Sequence, residues 1–377
     1  AQIYLGQMQY ELGYFAEASI IYEKALSRSK SLQDNAGVAE SLRKQGQLLR
    51  KNKDYEAALA KFGEALSIST VMNDKSSMAK TFNSIAILNY KTDDKDNALK
   101  NWLHALAIVE EFGDKPKISK YLNNIGIWYW QDYDYSKSIE YYQKSLLIKR
   151  ELGDVRNIAK TLNNLGEVYF AMGDYPNSTT QFDESIEIKE KLQDNKGLNA
   201  SLYNRGETYF YSFEYNRAID DFRRTIRMIE DEESDHERYR YIGMSHFYLS
   251  NFDSCNFYLK KSDEFFANDY RKRLAILPYL VISYMKTGDN TLSNTALKNF
   301  RDIISDYDPP DKDYIITNWA AYKALSAVNE KSEAAEYLEN AYFMLKSKSK
   351  DIKNKQDRKK YLSAKLHENI TNEWSKR

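Results

Sequence analysis

The chain has 377 residues, with 55 lysines and arginines against 55 aspartates and glutamates, so its formal net charge is zero. Neutrality argues against a nucleic-acid-binding chain, because phosphate contacts demand a basic excess, although a local basic stripe is compatible with it. The single cysteine, Cys255, excludes an internal disulfide framework and any multi-cysteine metal site. The histidines His104, His236, His246 and His367 form no HExxH-like ligand pair. A compact reading of this length needs two or three domains of roughly 100–200 residues, and an elongated repeat array is the other solution. The most apolar stretch, residues 274–285, is shorter than the roughly 20 residues a bilayer span requires. No charged-then-apolar leader opens the chain, so a cytoplasmic location is expected. "AQIYLG" reads as the middle of a repeat, so further sequence is expected upstream of Ala1.

Along the chain, Gly6, Gly46, Gly126, Gly166 and Gly206 fall on a 40-residue grid, with Ala86 in the missing slot. Twelve residues past each stands a small residue: Ala18, Ala58, Ala98, Ser138, Ser178 and Ala218. Sixteen past stands an aromatic: Tyr22, Phe62, Trp102, Tyr142, Phe182 and Phe222. Nineteen past stands another small residue: Ala25, Ala65, Ala105, Ser145, Ser185 and Thr225. Aspartates mark the joints at Asp34, Asp74, Asp114, Asp154 and Asp194. The spacing predicts two helices per unit. In the first, positions −4, −1, 0 and +3 from the glycine share a face, as Leu162, Leu165, Gly166 and Tyr169 do. Turns such as "GDY" at 173–175 then place an aspartate where it caps the second helix. There, small residues let the helices approach and the aromatic fills the groove. Pro116, Pro176, Pro309 and Pro310 fall at predicted helix starts or joints, and Pro278 is expected to kink or delay a helix.

Beyond residue 227 the phase slips. The stretch "DEESDHER", 231–238, reads as a shortened, solvated joint. Three further units are expected: one through Gly243, Cys255, Leu259 and Ser262, one through Tyr284, Gly288, Ser293 and Leu297, and one through Tyr322, Ala334, Leu338 and Ala341. The charged tail that follows fits a terminal cap, which covers its neighbour's apolar face and shows water a polar one.

These glycine, tyrosine, alanine and aromatic positions resemble the tetratricopeptide repeat (TPR), whose usual unit is about 34 residues. The longer unit is similar to the TPRs of kinesin light chains, of adaptors that bind GoLoco motifs, and of bacterial peptide-sensing regulators. The resemblance implies an all-α fold, a right-handed superhelical solenoid of about nine TPR helix pairs plus a C-terminal capping helix. It implies regular repeats over 1–227, divergent repeats over 228–346, and a cap and tail over 347–377. The tail also looks like the ends of TPR arrays fused to nucleotide cyclases or protein kinases.

The first helices would line a concave groove. Positions −6, −2 and +4 from the glycine lie off the core stripe and form three ladders. One is basic (Lys80, Lys120, Lys160), one is amide (Ser84, Asn124, Asn164, Asn204), and one is aromatic (Tyr90, Trp130, Phe170, Phe210). Asn83, Asn123 and Asn163 stand beside the second. An amide both donates and accepts, so a row of amides can hold an extended peptide backbone. The same asparagines can instead bond a neighbouring helix, the aromatics can be groove wall or core, and the lysines a solvated face. A chaperone-type carboxylate clamp is incomplete, because Lys120, Asn124 and Asn164 match it but Ala200 and Asn204 lack its last cations.

The expected function is therefore a non-catalytic interaction scaffold that binds a peptide or partner protein near residues 80–211. The Lys-, Asn-, Ile- and Tyr-rich composition suggests an AT-rich bacterial genome, and a bacterial signalling role is expected. No metal, cofactor, nucleic acid or membrane span is expected. The alternatives are the regulatory part of a larger cyclase or kinase, and a cryptic enzyme using His236, Glu237 and His246.

Overall fold

A computed structural model describes residues 2–228, 232–306 and 311–377; Asp231, Pro309 and Pro310 of the expected joints lie outside them. The described residues form paired helices and no strand. The pairs are α1 (Gln2–Glu11) with α2 (Phe15–Ser31), α3 (Asn35–Lys51) with α4 (Tyr55–Val71), and α5 (Lys75–Lys91) with α6 (Lys95–Glu111). Next come α7 (Lys115–Gln131) with α8 (Tyr135–Glu151), α9 (Val155–Ala171) with α10 (Tyr175–Lys191), and α11 (Asn195–Tyr211) with α12 (Tyr215–Ile226). After them α13 (Glu232–Tyr248) pairs with α14 (Phe252–Phe265). A short α15 (Tyr270–Leu274) leads to α16 (Leu277–Lys286), which pairs with α17 (Asn290–Asp306). The last pair is α18 (Asp311–Ala327) with α19 (Lys331–Asp351), followed by α20 (Lys355–Ser363) and α21 (Lys365–Trp374). The chain divides into two compact units: residues 1–132 with 137–154, and residues 133–136 with 155–377.

Seven helix starts share one local cause. Asp34, Asp54, Asp74, Asp94, Asp114, Asp174 and Asp194 each accept the backbone N–H three residues on. Such a cap is worth about 0.5–2 kcal/mol. Between helices the chain reverses through a residue in the left-handed region, as at Gln33 (φ 54°), Asn73 (φ 52°) and Gly113 (φ 69°).

The 40-residue grid has a steric explanation. A Cβ on Gly166 would lie 2.6 Å from the Phe182 ring, and one on Gly46 would lie 2.6 Å from Phe62. The ring sixteen residues on therefore rests directly on glycine backbone. In the third pair Ala86 replaces glycine and the ring is Trp102, both buried. The small residues also join the two helices. Ser138 Oγ donates to the Gly126 carbonyl at 2.8 Å, and Ser178 Oγ to the Gly166 carbonyl at 2.9 Å. Ser185 Oγ donates to the Ala159 carbonyl at 2.8 Å.

Two expectations are refined. The stretch from residue 232 is helical, not a solvated joint: His236 is 7 % exposed, its ring stacked 4.1 Å from Phe265. Its polar composition hides one inward face of α13, which buries His236, Tyr241 and Met244. Pro278 sits in the first turn of α16, and the first helix of that pair is interrupted between α15 and α16.

Within each unit, first helices of successive pairs touch: α1 with α3 and α3 with α5, then α9 with α11, α11 with α13, α13 with α16, and α16 with α18. Among the described residues no second helix approaches the next second helix as closely, so the first helices form the inner face of each unit. At the end of the second unit α21 packs on α19, where Trp374 stacks on Tyr342 at 5.0 Å. In contrast, α20 returns to earlier turns. The Asp357 carboxylate accepts from the Ser136 N–H at 2.9 Å, and Lys360 Nζ donates to Asp174 at 2.6 Å. Among the described residues no helix is long and apolar enough to cross a membrane.

Candidate ligand-binding faces

In the first unit the inner face is basic. Lys80 is half-buried on α5 and Lys120 exposed on α7. The structure adds Arg43 and Lys44 on α3, with Glu40 accepting from Arg43 Nε at 3.0 Å. Lys44 Nζ donates to Gln7 at 2.5 Å, and burial together with the Arg43 charge pushes Lys44 down to about 8. Lys44 occupies the same slot as Ser84 and Asn124, so extending that ladder by one unit would have found it.

The amides of this unit are partly spent on scaffolding. Asn83 is 6 % exposed, and its Oδ1 accepts from Trp102 Nε1 at 3.1 Å and from Asn124 Nδ2 at 3.0 Å. It is turned into its own helix pair because the indole that replaces a phenyl ring in that groove needs an acceptor. Asn123 Oδ1 accepts from Lys149 Nζ at 3.3 Å. Asn124 is thus anchored through its nitrogen, with no bond to its oxygen. Tyr90 and Trp130 are half-buried, and the Tyr90 ring lies 5.6 Å from Trp102.

In the second unit Lys160 is exposed on α9. Asn163 Nδ2 donates to Glu167 Oε1 at 2.7 Å, and its oxygen accepts from Ser201 Oγ at 2.6 Å. Asn204 Nδ2 reaches the same Glu167 oxygen at 3.0 Å. Asn164 is half-buried and, among the described residues, has no side-chain hydrogen bond. Phe170 packs edge-on to Tyr211 at 5.5 Å. Phe210, expected on the free face, is 5 % exposed and belongs to the core with Tyr241, and its ring also lies 6.0 Å from that of Tyr248.

Sequence reasoning missed the carboxylates. Glu167 and Glu207 follow their glycines directly, one slot beyond the core stripe. Burial pushes Glu207 up to about 7, and it accepts the Tyr241 hydroxyl at 2.5 Å. Burial also raises Glu167, against its bonds from Asn204 and Asn163. Anchored amides beside a carboxyl whose pKa burial has raised can offer donors and acceptors to a polypeptide backbone at little cost in side-chain ordering.

His236 and His246, the bases of the cryptic-enzyme alternative, are packed against rings. The His246 ring lies parallel to Tyr258 at 5.7 Å, and burial and the Arg223 charge lower its pKa. Among the described residues no group of three or more His, Cys, Asp or Glu side chains is placed to hold a metal ion.

A family model described as tetratricopeptide repeat matches residues 77–151 and 157–231. Among solved structures, the chain is similar to the apo form of the quorum sensor NprR from B. thuringiensis, at 14% identity and TM-score 0.63, covering 91% of this chain and 97% of that one. It is similar to a signal-transduction ATPase with numerous domains and a tetratricopeptide repeat sensor from Pyrococcus horikoshii, at 16% identity and TM-score 0.64, covering 78% of this chain and 44% of that one. It is also similar to a Rap protein complexed with competence and sporulation factor, at 11% identity and TM-score 0.54, covering 93% and 98%. At these identities the likeness is one of fold. No curated protein sequence matches the chain.

Proposed function

We propose, on the tetratricopeptide-repeat match over residues 77–151 and 157–231, that the chain is a ligand-sensing interaction module of that family, in which the inner face of each unit can hold an extended peptide segment. The observation that carries this reading is the state of the amides. Asn163 and Asn204 are pinned to Glu167, while Asn164, next to Asn163 in the chain, has its donor and acceptor unused among the described residues. A half-buried polar group held open beside fixed neighbours suits an incoming backbone N–H or C=O. In the first unit, Lys44, Lys80 and Lys120 beside Asn124 would favour acidic segments. Within the first unit Tyr90 and Trp130, and separately within the second unit Phe170, would add apolar contact at low ordering cost. A signalling role in bacteria is part of the proposal, supported by the quorum-sensor and Rap folds.

The test is a display selection of random heptapeptides against the whole chain. Peptides are expected to enrich, and Asn164→Ala should weaken them by about 0.5–1.5 kcal/mol, the value of one hydrogen bond, without lowering the melting temperature. Failure to enrich any peptide, or indifference of the enriched peptides to both Asn164→Ala and Asn124→Ala, would overturn the reading. A second reading, the sensor portion of a larger signalling enzyme, is favoured by the fold of the Pyrococcus ATPase, of which the chain spans 44%.

A further inference from the structure

Within the second unit the chain's own C-terminal segment returns to the inner face. It leaves α19 at Asp351, passes through the extended residues Ile352 and Asn354, and forms α20 and α21. Three successive turns, at 133–136, 173–175 and 213–215, receive it one repeat apart. At the first, the Lys353 N–H donates to the Tyr133 carbonyl at 3.2 Å. There Ser136 also donates its N–H at 2.9 Å and its hydroxyl at 2.8 Å to the Asp357 carboxylate, which is 3 % exposed. At the second, Lys360 Nζ meets Asp174 at 2.6 Å, and a Cβ on Gly173 would lie 2.8 Å from the Ala364 Cβ. At the third, Lys365 Nζ stands 4.5 Å over the Phe213 ring.

Leu366 then enters a pocket built by four first helices. Phe210 and Tyr211 of α11, Tyr248 of α13, Tyr279 of α16 and Trp319 of α18 line it with rings. Leu366 is 8 % exposed, and about 20 Å³ of space remains beside it. One water needs about 10–15 Å³, so the leucine all but fills the pocket. The Phe170 ring packs on Tyr175 at 5.9 Å and on Tyr211 at 5.5 Å, and Tyr211 also lines the pocket. The face read above as ligand-binding is therefore continuous with the ground that this segment covers. A pocket walled by rigid rings suits the apolar anchor of a partner.

Alone, neither helix of the segment is long enough to persist. α20 has 9 residues and α21 has 10, and isolated helices shorter than about 12–15 residues are marginal in water. Their order comes from docking. Toward the inner face that docking rests on one buried carboxylate, one leucine, and an ion pair whose lysine is half-exposed. An exposed ion pair contributes little.

We infer that residues 352–374 are an autoinhibitory strap: in the resting chain Leu366 fills the aromatic pocket that a branched aliphatic side chain of the bound segment takes once the strap lets go. This rests on the ligand reading above and adds its regulation. When only a fraction of a protein is in the competent state, the apparent affinity is reduced by that fraction. Loosening the strap therefore tightens ligand binding, and the ligand in turn unseats the strap.

The experiment compares the native chain with Asp357→Ala and with Lys360→Glu, a surface change that sets a carboxylate against Asp174. Heptapeptides from the display selection that need Asn164 are titrated against each, with a synthetic peptide spanning residues 352–377 as competitor. Both variants are expected to bind them about fivefold or more tightly than the native chain, a gain that misfolding cannot produce. The synthetic peptide should displace them from either variant. Adding a selected heptapeptide to the native chain should remove hydrogen-exchange protection from α20 and α21. Equal affinity in all three chains, or binding that leaves α20 and α21 protected, would overturn the strap and leave the interaction reading intact. So would selected peptides that need Asn124 alone, which place the ligand in the first unit. Binding to none of the three chains would overturn both.

Discussion

The helices from α1 to α12 and those from α13 to α21 solve the same packing problem with different strictness. In the earlier region a ring rests on a glycine in five of the six pairs, and aspartates cap most helix starts. In the later region the small-under-large rule survives while its residues change. Gly243 lies beneath Leu259 instead of a ring, and Val281 takes the glycine slot while Ser293 Oγ still donates to its carbonyl at 2.9 Å. The comparison teaches that the close approach of the two helices is the conserved physical requirement. Where the ring is no longer required, side chains are free for other work, and there a polar cavity and the returning α20 are built.

The strictness of the earlier region can be broken directly. Gly166→Leu drives a side chain into the Phe182 ring, already 2.6 Å from a Cβ. Overpacking of this kind costs up to about 3 kcal/mol, and loss of hydrogen-exchange protection should centre on α9 and α10, because repeat stability is a sum over neighbours.

The later region should instead break with acid. His367 donates its Nδ1–H to the Tyr361 carbonyl at 2.7 Å, and burial lowers its pKa from 6.5 to about 4. A group whose folded pKa is depressed stabilises the fold above its unfolded pKa and loses that contribution as pH falls toward the folded value. Limited proteolysis of α20 and α21 should therefore accelerate between pH 6.5 and 4, and His367→Gln should flatten that dependence. Unchanged cleavage across this window would mean that the imidazole does not hold the segment down.

The smallest effect sharpens the steric argument. Gly63 lies inside α4 with open space where its Cβ would be. Gly63→Ala should stabilise the chain by about 0.5–1 kcal/mol through helix propensity alone, read as a small rise in melting temperature. A loss there would show that glycines in this chain are kept for reasons other than room.

Much of the fold was legible in the sequence because its causes are local. A glycine sixteen residues before a ring, and an aspartate three residues before an exposed N–H, each specify one contact within one pair. The candidate faces were legible only in part. Lys80, Lys120, Lys160, Asn124, Asn164 and Asn204 lie on first helices, but spacing could not say which amides were already bonded. Asn83 was claimed by Trp102, Asn163 by Ser201 and Glu167, and Phe210 by the core. Trp102 and Ser201 stand 19 and 38 residues away on other helices, so no periodicity within a helix reports them, whereas Glu167, four residues on in the same helix, was within its reach.

The sequence by itself determined the paired helices, their caps and the ring-on-glycine interlock, since each follows from contacts within one or two turns or one repeat. Only the tertiary structure decided that α20 returns to Ser136 and Asp174, and that Glu207, Glu237 and Arg240 converge with Arg271 on one cavity. Those arrangements depend on the curvature accumulated over several stacked pairs. That curvature brings α18 back toward α11, and it is a sum of small packing angles that no single repeat encodes.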